Sequence, residues 1–141
     1  MKIIYKSGDL LSCTELWILH GCNAQAVMGS GVALAIKKKY PSAYAAYIAS
    51  IQHDGMQLGR VTYAEQDDGK TVFNGITQEY YGRDGRQYVD YQAITDVIWC
   101  INMYCNNVVK FGTHVAMPKI GAGLGGGDWE VISGIIEAYS T

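Results

Sequence analysis

The chain is 141 residues long, 49% hydrophobic and 17% charged, with a formal net charge of −2. That length suits one domain with a core able to fold without staples, and the composition excludes wholesale disorder. The slight negative charge argues against a nucleic-acid binder working by bulk phosphate neutralisation, and no apolar run reaches the roughly 18–20 residues of a membrane span.

Taken in chain order, Met1 to Tyr5 reads as a strand, and the opening MKIIYKSGDLL lacks the apolar stretch and cleavage site of a signal peptide. A cytosolic location is therefore expected. Glu15 to His20 reads as a short apolar strand buried on both faces. Ser30 to Tyr40 reads as a helix stopped by Pro41, and Ser42 as the N-cap of a second helix running to about Gln52. Strands follow near Arg60 to Glu65 and Thr71 to Thr77, joined by the hairpin chemistry of Asp67-Asp68-Gly69. Tyr80 to Gln87 reads as a polar loop. Asp90 caps a long helix to about Asn107, with an apolar face at helical spacing. His114 to Ile120 reads as a strand, and Trp129 to Tyr139 as a last helix. Strands alternating with helices argue for an α/β domain with helices on both faces of a mostly parallel or mixed sheet.

Cys13, Cys22, Cys100 and Cys105 show neither CxxC spacing nor histidines at zinc-site intervals. Buried thiols are expected, and no metal or other cofactor is implied.

The chemistry signal is the placement of the seventeen glycines, a share well above the ordinary one. Gly29-Ser30-Gly31 lies between a strand and a helix start. So does the run from Gly121 to Gly127, GAGLGGG. Each arrangement sets backbone N–H groups beside the positive end of a helix, which favours an anion. Glycine permits close approach of phosphate oxygens and the left-handed dihedrals of such a nest. One loop is weak testimony; two equivalent loops suggest a two-phosphate ligand held between them. Gly121, Gly123 and Gly126 formally match GxGxxG, but the chain ends at Thr141, before the further strand and acid that a dinucleotide fold requires. No GK[ST] follows the glycines, which excludes a P-loop.

Gly8-Asp9-Leu10, His20-Gly21-Cys22-Asn23, MGSGVALAIKKKYP and MPKIGAGLGGGDWEVI together resemble the macrodomain family, in its branch of ADP-ribose 1''-phosphate processing proteins. The likeness covers nearly the whole chain, in order. It implies a three-layer α/β/α macrodomain with a mixed, mostly parallel central sheet and a cleft for ADP-ribose. By position, Asp9 resembles the carboxylate that accepts from the adenine amino group, and Asn23 the residue bonding the distal ribose. Gly29, Ser30, Gly31 and Val32 resemble the first diphosphate loop; Gly121, Ala122, Gly123, Leu124 and Gly125 resemble the second. The family usually carries one more strand after the final helix. Either the sequence is shortened or residues 1–141 form a single macrodomain without that edge strand.

The resemblance implies ADP-ribose or its 1''-phosphate as the partner, with no membrane, and nucleic acid only as an ADP-ribosylated substrate. The activity read first is hydrolysis of the 1''-phosphate. The alternatives are a non-catalytic ADP-ribose reader and a mono-ADP-ribosyl glycohydrolase acting on modified protein or nucleic acid. A related glycohydrolase branch uses a lysine where Gln78 stands here, and glutamine cannot form a Schiff-base-type intermediate. His20 resembles a histidine implicated in the family's phosphatases and is the candidate to act as general acid or to position water; a strand-end histidine bonded to the main chain explains it equally well. Asp84 is the candidate base and Arg83 a phosphate clamp, although a solvated Asp-Gly turn also accounts for that segment. Asp128 reads as an N-cap, Trp129 as a core or edge anchor, and Lys37, Lys38 and Lys39 as a solvated helix end. Lys119 either adds charge beside the second loop or points to solvent.

Overall fold

The computed structural model describes residues 3–29, 31–55, 57–82, 84, 86–108, 114–123 and 125–139. After a 3-10 turn at Leu10–Ser12, the regular elements are β1 (Trp17–Asn23), α1 (Gly31–Lys39), α2 (Pro41–Asp54), β2 (Val61–Glu65), β3 (Thr71–Gln78), α3 (Tyr91–Val108), β4 (Val115–Ala116) and α4 (Trp129–Tyr139). They form a four-stranded sheet in the order β2-β3-β1-β4. β1 runs parallel to both β3 and β4, and β2 pairs antiparallel with β3, so the sheet is mixed and mostly parallel.

The alternation of side chains along β1 and β3 builds the layers. Trp17, Leu19 and Phe73 face one side, where Ile94, Val97, Ile98 and Ile101 of α3 and Ile132 and Ile136 of α4 pack on them. Ile18 and Val72 face the other side, against Ile36 of α1 and Ala43 of α2. Further along, Cys22 and Ile76 meet Met28 and Tyr47. Helices thus cover both faces, giving three layers, α/β/α.

Local chemistry fixes the element ends. Pro41 occupies the first turn of α2, where its missing N–H costs nothing, so the cap position falls to Tyr40 and not to Ser42. Ser42 instead donates to Gln66 Oε1 at 2.9 Å. Asp90 caps α3 by accepting from Ala93 N at 3.0 Å, and Asp128 accepts from Glu130 N at 2.9 Å at the start of α4.

Two strands differ from the sequence reading. Residues 3–7 form no strand; Ile3 packs on the core and Tyr5 accepts at its hydroxyl from Trp129 Nε1 at 3.0 Å, so that Trp129 anchors this segment at the edge. β4 is two residues long, because Pro118 has no N–H to continue a ladder. Of the thiols expected to be buried, Cys22 is, whereas Cys13 is half-buried and Cys100 exposed, and the side chain of Cys105 lies outside the described residues. Among the described residues no helix is long and apolar enough to cross a membrane.

Candidate functional site

A cavity of about 670 Å³ opens at the carboxyl ends of β1 and β3 and beside the turn after β4. That edge is where open α/β sheets receive ligands. Its floor comes from His20 to Asn23, Thr77 and Gln78; Gly29, Gly31 and Val32 stand on one side, and Gly121, Ala122, Gly123 and Gly125 on the other. Tyr81 and Gly82 close a third side.

The first wall is shaped by Asn23. Its Oδ1 accepts from Gln25 N at 2.9 Å and Val27 N at 3.4 Å, while its Nδ2 donates to Val27 O at 2.8 Å. Tyr47 of α2 donates to Asn23 O at 2.5 Å and accepts from Val27 N at 3.1 Å. These bonds hold Ala26 at φ 64°, a left-handed conformation that a non-glycine residue adopts only at a cost. The chain is thereby steered into α1, whose first residues Gly31, Val32 and Ala33 line the cavity. Asn23 therefore shapes the loop and retains at most one N–H for a ligand.

The second wall spends its carbonyls on itself and its neighbours. Gly121 O accepts from Gly127 N at 2.9 Å, Gly123 O from Gly126 N at 3.1 Å, and Gly125 O from Tyr88 N and Val89 N at 2.7 and 3.0 Å. Among the described residues nothing accepts from the N–H of Gly121, Gly123 or Gly125. Main-chain donors left without a partner beside a cavity are suited to an anion. Lys119 is the one charged side chain among the described lining residues, and its Nζ lies 5.9 Å from the Trp129 ring centroid.

His20 faces the α1/α2 layer and is 1% exposed. Asn74 Nδ2 donates to Ala43 O at 3.0 Å and Thr62 Oγ1 at 3.1 Å, which turns Asn74 Oδ1 toward the imidazole. His20 Nε2 lies 2.6 Å from that oxygen and so carries the proton. Burial lowers the pKa of His20 to about 4, against the smaller opposing effect of the Asn74 bond. The ring is therefore neutral at neutral pH and has no proton to spare for a general acid's task. Its partner is a side chain and not the main-chain carbonyl expected from its place at a strand end. Burial likewise pushes the Cys22 thiol up, so no thiolate forms there.

The profile of the Macro domain family matches residues 19–136, which include both glycine walls and the floor. The chain belongs to this family. A 17.5 kDa protein of Enterobacteria phage T4 is 33% identical over 147 residues, covering 100% of this chain and 92% of that protein. A DNA ADP-ribosyl glycohydrolase of Mycobacterium tuberculosis is 31% identical over 132 residues, 91% of this macrodomain and 36% of the relative, so the chain spans about a third of that protein. An ADP-ribose 1''-phosphate phosphatase of Candida albicans is 26% identical, covering 97% and 93%. Among solved structures, the macrodomain of Mycobacterium tuberculosis DarG superposes with a TM-score of 0.80 at 27% identity, over 96% of this chain and 87% of that one.

Within the macrodomain, the expected site residues divide. Asn23, Gly29, Gly31, Val32, Gly121, Ala122, Gly123 and Gly125 surround one cavity together with His20. Ser30, Leu124 and Arg83 lie outside the described residues. Asp9 is exposed and is not among the lining residues; its Oδ1 caps the 3-10 turn by accepting from Leu11 N at 3.0 Å. Gln78 ends β3 in the floor, its Nε2 donating to Tyr80 O at 2.7 Å.

Asp84 is also absent from the lining. Its Oδ1 accepts from Tyr88 Oη at 2.8 Å and Arg86 N at 3.2 Å, and Arg86 Nε stands 3.1 Å from its Oδ2. The Tyr88 bond and then the Arg86 amide hold this carboxyl below the ordinary range, so it serves as an acceptor within its own turn. Asp84→Asn is therefore expected to change ADP-ribose affinity by less than about twofold, the range of an exposed substitution. A tenfold loss by calorimetry would return Asp84 to the site.

The residues that pattern reading missed are Asn74 and Tyr47, each paired with its partner across the fold, and Thr77, Tyr81 and Gly82 in the lining. Only the polar loop read at Tyr80 to Gln87, which contains Tyr81 and Gly82, gave any sign.

Proposed function

We propose that this macrodomain binds ADP-ribose in the cavity, its diphosphate lying between the two glycine walls, and hydrolyses the 1''-phosphate of ADP-ribose 1''-phosphate. The observation that carries the reading is the pair of amide-lined walls facing one space, with Lys119 as the positive charge at its edge. Main-chain N–H groups and an ammonium are suited to charge developing on phosphoryl oxygens. The relative from Candida albicans supports the phosphate ester as substrate. Gln78 supports it too, since its amide offers no amine nucleophile for attack on the sugar.

One observation favours a second reading, a module that binds without turnover: His20 is buried and neutral, and Asp84 lies away from the cavity. Calorimetric titration with ADP-ribose, followed by phosphate release from the 1''-phosphate, separates the two. Binding with release supports the phosphatase, and binding without it the reader. No binding at millimolar ADP-ribose would overturn both.

Lys119→Gln tests the charge. It is expected to weaken the 1''-phosphate roughly tenfold and ADP-ribose only about two- to threefold, because an exposed ammonium meets the extra dianion in partly screened solvent. Equal losses for both ligands would remove Lys119 from the terminal phosphate.

A further inference from the structure

Thr77 Oγ1 is buried and has no hydrogen-bond partner among the described residues, and Thr77 is 1% exposed. Native proteins leave few such groups, and each costs stability while it stays unpaired. Ser50 Oγ is also unpaired, but it sits in α2, where a small rotation brings a serine hydroxyl to a helical carbonyl. Thr77 is in β3 and has no such recourse; its own carbonyl is already taken by Asp90 N at 2.8 Å.

Its surroundings point to the cavity. Thr77, Gly21 and Ile120 all line it. A Cβ placed on Gly21 would lie 2.9 Å from Thr77 Oγ1 and 3.1 Å from Ile120 Cγ1, so the hydroxyl stands close over Gly21, where no side chain intervenes. Among the described residues nothing else claims this oxygen, so a ligand hydroxyl that enters the cavity can pair with it.

Resting on the ADP-ribose reading of the cavity, we propose that the Thr77 hydroxyl is the floor contact for a hydroxyl of the terminal ribose. The amide nests stand on the walls and suit phosphate. The floor at Thr77 is neutral and carbon-lined, which suits an uncharged sugar. A threonine hydroxyl donates and accepts at once, as a sugar diol requires.

The test sets Thr77→Val, which keeps the shape and loses the oxygen, beside Thr77→Ser, which keeps the oxygen. Calorimetry with ADP-ribose and with ADP, which lacks the terminal ribose, reads the contact. Thr77→Val is expected to melt no lower than the wild type, to weaken ADP-ribose about five- to thirtyfold, and to leave ADP unchanged. Thr77→Ser is expected to stay within about threefold for both ligands. Unchanged ADP-ribose affinity in Thr77→Val, or equal losses for the two ligands, overturns the assignment while leaving the ADP-ribose reading intact. A marked fall in the melting temperature of Thr77→Val also overturns it, since the hydroxyl would then be paired in the free protein. A wild type that binds neither ligand overturns the ADP-ribose reading itself, and the assignment with it.

Discussion

Between pH 6.5 and pH 4 the protein is expected to lose about 3 kcal/mol of stability through one side chain, His20. The folded protein holds this imidazole neutral, with a pKa of about 4 against 6.5 for the free side chain, because burial removes the water that would solvate the cation. In the unfolded chain the same ring takes a proton below pH 6.5. Inside the window the unfolded state therefore binds more protons, and stability rises with pH. The contribution is complete above pH 6.5 and gone below about pH 4. Urea unfolding at half-unit pH intervals measures it, with His20→Gln as the reference. That variant keeps an N–H for Asn74 Oδ1 and has nothing to titrate, so carboxylate effects common to both proteins cancel. Parallel curves for the two proteins from pH 7 to pH 4 would refute the claim. Its functional corollary is a phosphate-release profile with no inflection from a histidine near neutrality.

His20 also shows what a sequence conceals. The residue is visible at the end of an apolar strand, but its chemistry is set by Asn74, 54 residues away on a neighbouring strand. Nothing local announces that pairing. By contrast, the glycine walls were legible, because the requirement for backbone approach is written in the residue type itself. The helices were legible from their apolar faces and their caps at Asp90 and Asp128. Strand ends were less so. β1 continues beyond His20 through Gly21-Cys22-Asn23, because Gly75, Ile76 and Gln78 of β3 stand beside it as ladder partners. Met1 to Tyr5 has strand-like residues, yet its described part has no ladder to join, and a pattern without a partner is not a strand. Asp84 was legible as part of a polar turn, but not the partners that engage its carboxylate, Tyr88 Oη and Arg86 N.

Gly126→Ala is expected to cost about 2–4 kcal/mol, the largest effect of any single methyl at the site. Two costs add. Gly126 sits at φ 71°, where an L side chain is strained. A Cβ there would also run into the Arg86 carbonyl, with Arg86 C at 2.8 Å and Gln87 Cα at 3.0 Å. All three atoms are main chain, so no side-chain rotation relieves the overlap. The only escape is to part the loop from residues 86–89, and that strains the bonds from Tyr88 N and Val89 N to Gly125 O. Those bonds tie the loop that carries the lining residues Gly121, Gly123 and Gly125, so ADP-ribose affinity should fall together with stability. Gly123→Ala is the contrast: its Cβ would meet nothing within 4 Å, and its φ lies outside the left-handed region. It is expected to unfold within about 0.5 kcal/mol of the wild type. Because it lines the cavity, its methyl occupies space that a phosphate oxygen needs, and affinity falls without a loss of stability. Chemical unfolding and calorimetry on the two variants read both quantities. If Gly126→Ala proved as stable as the wild type, residues 86–89 would not be clamped to the loop, and the nest would be free to rearrange around its ligand. If Gly123→Ala kept full affinity, the diphosphate would have to be held elsewhere in the cavity.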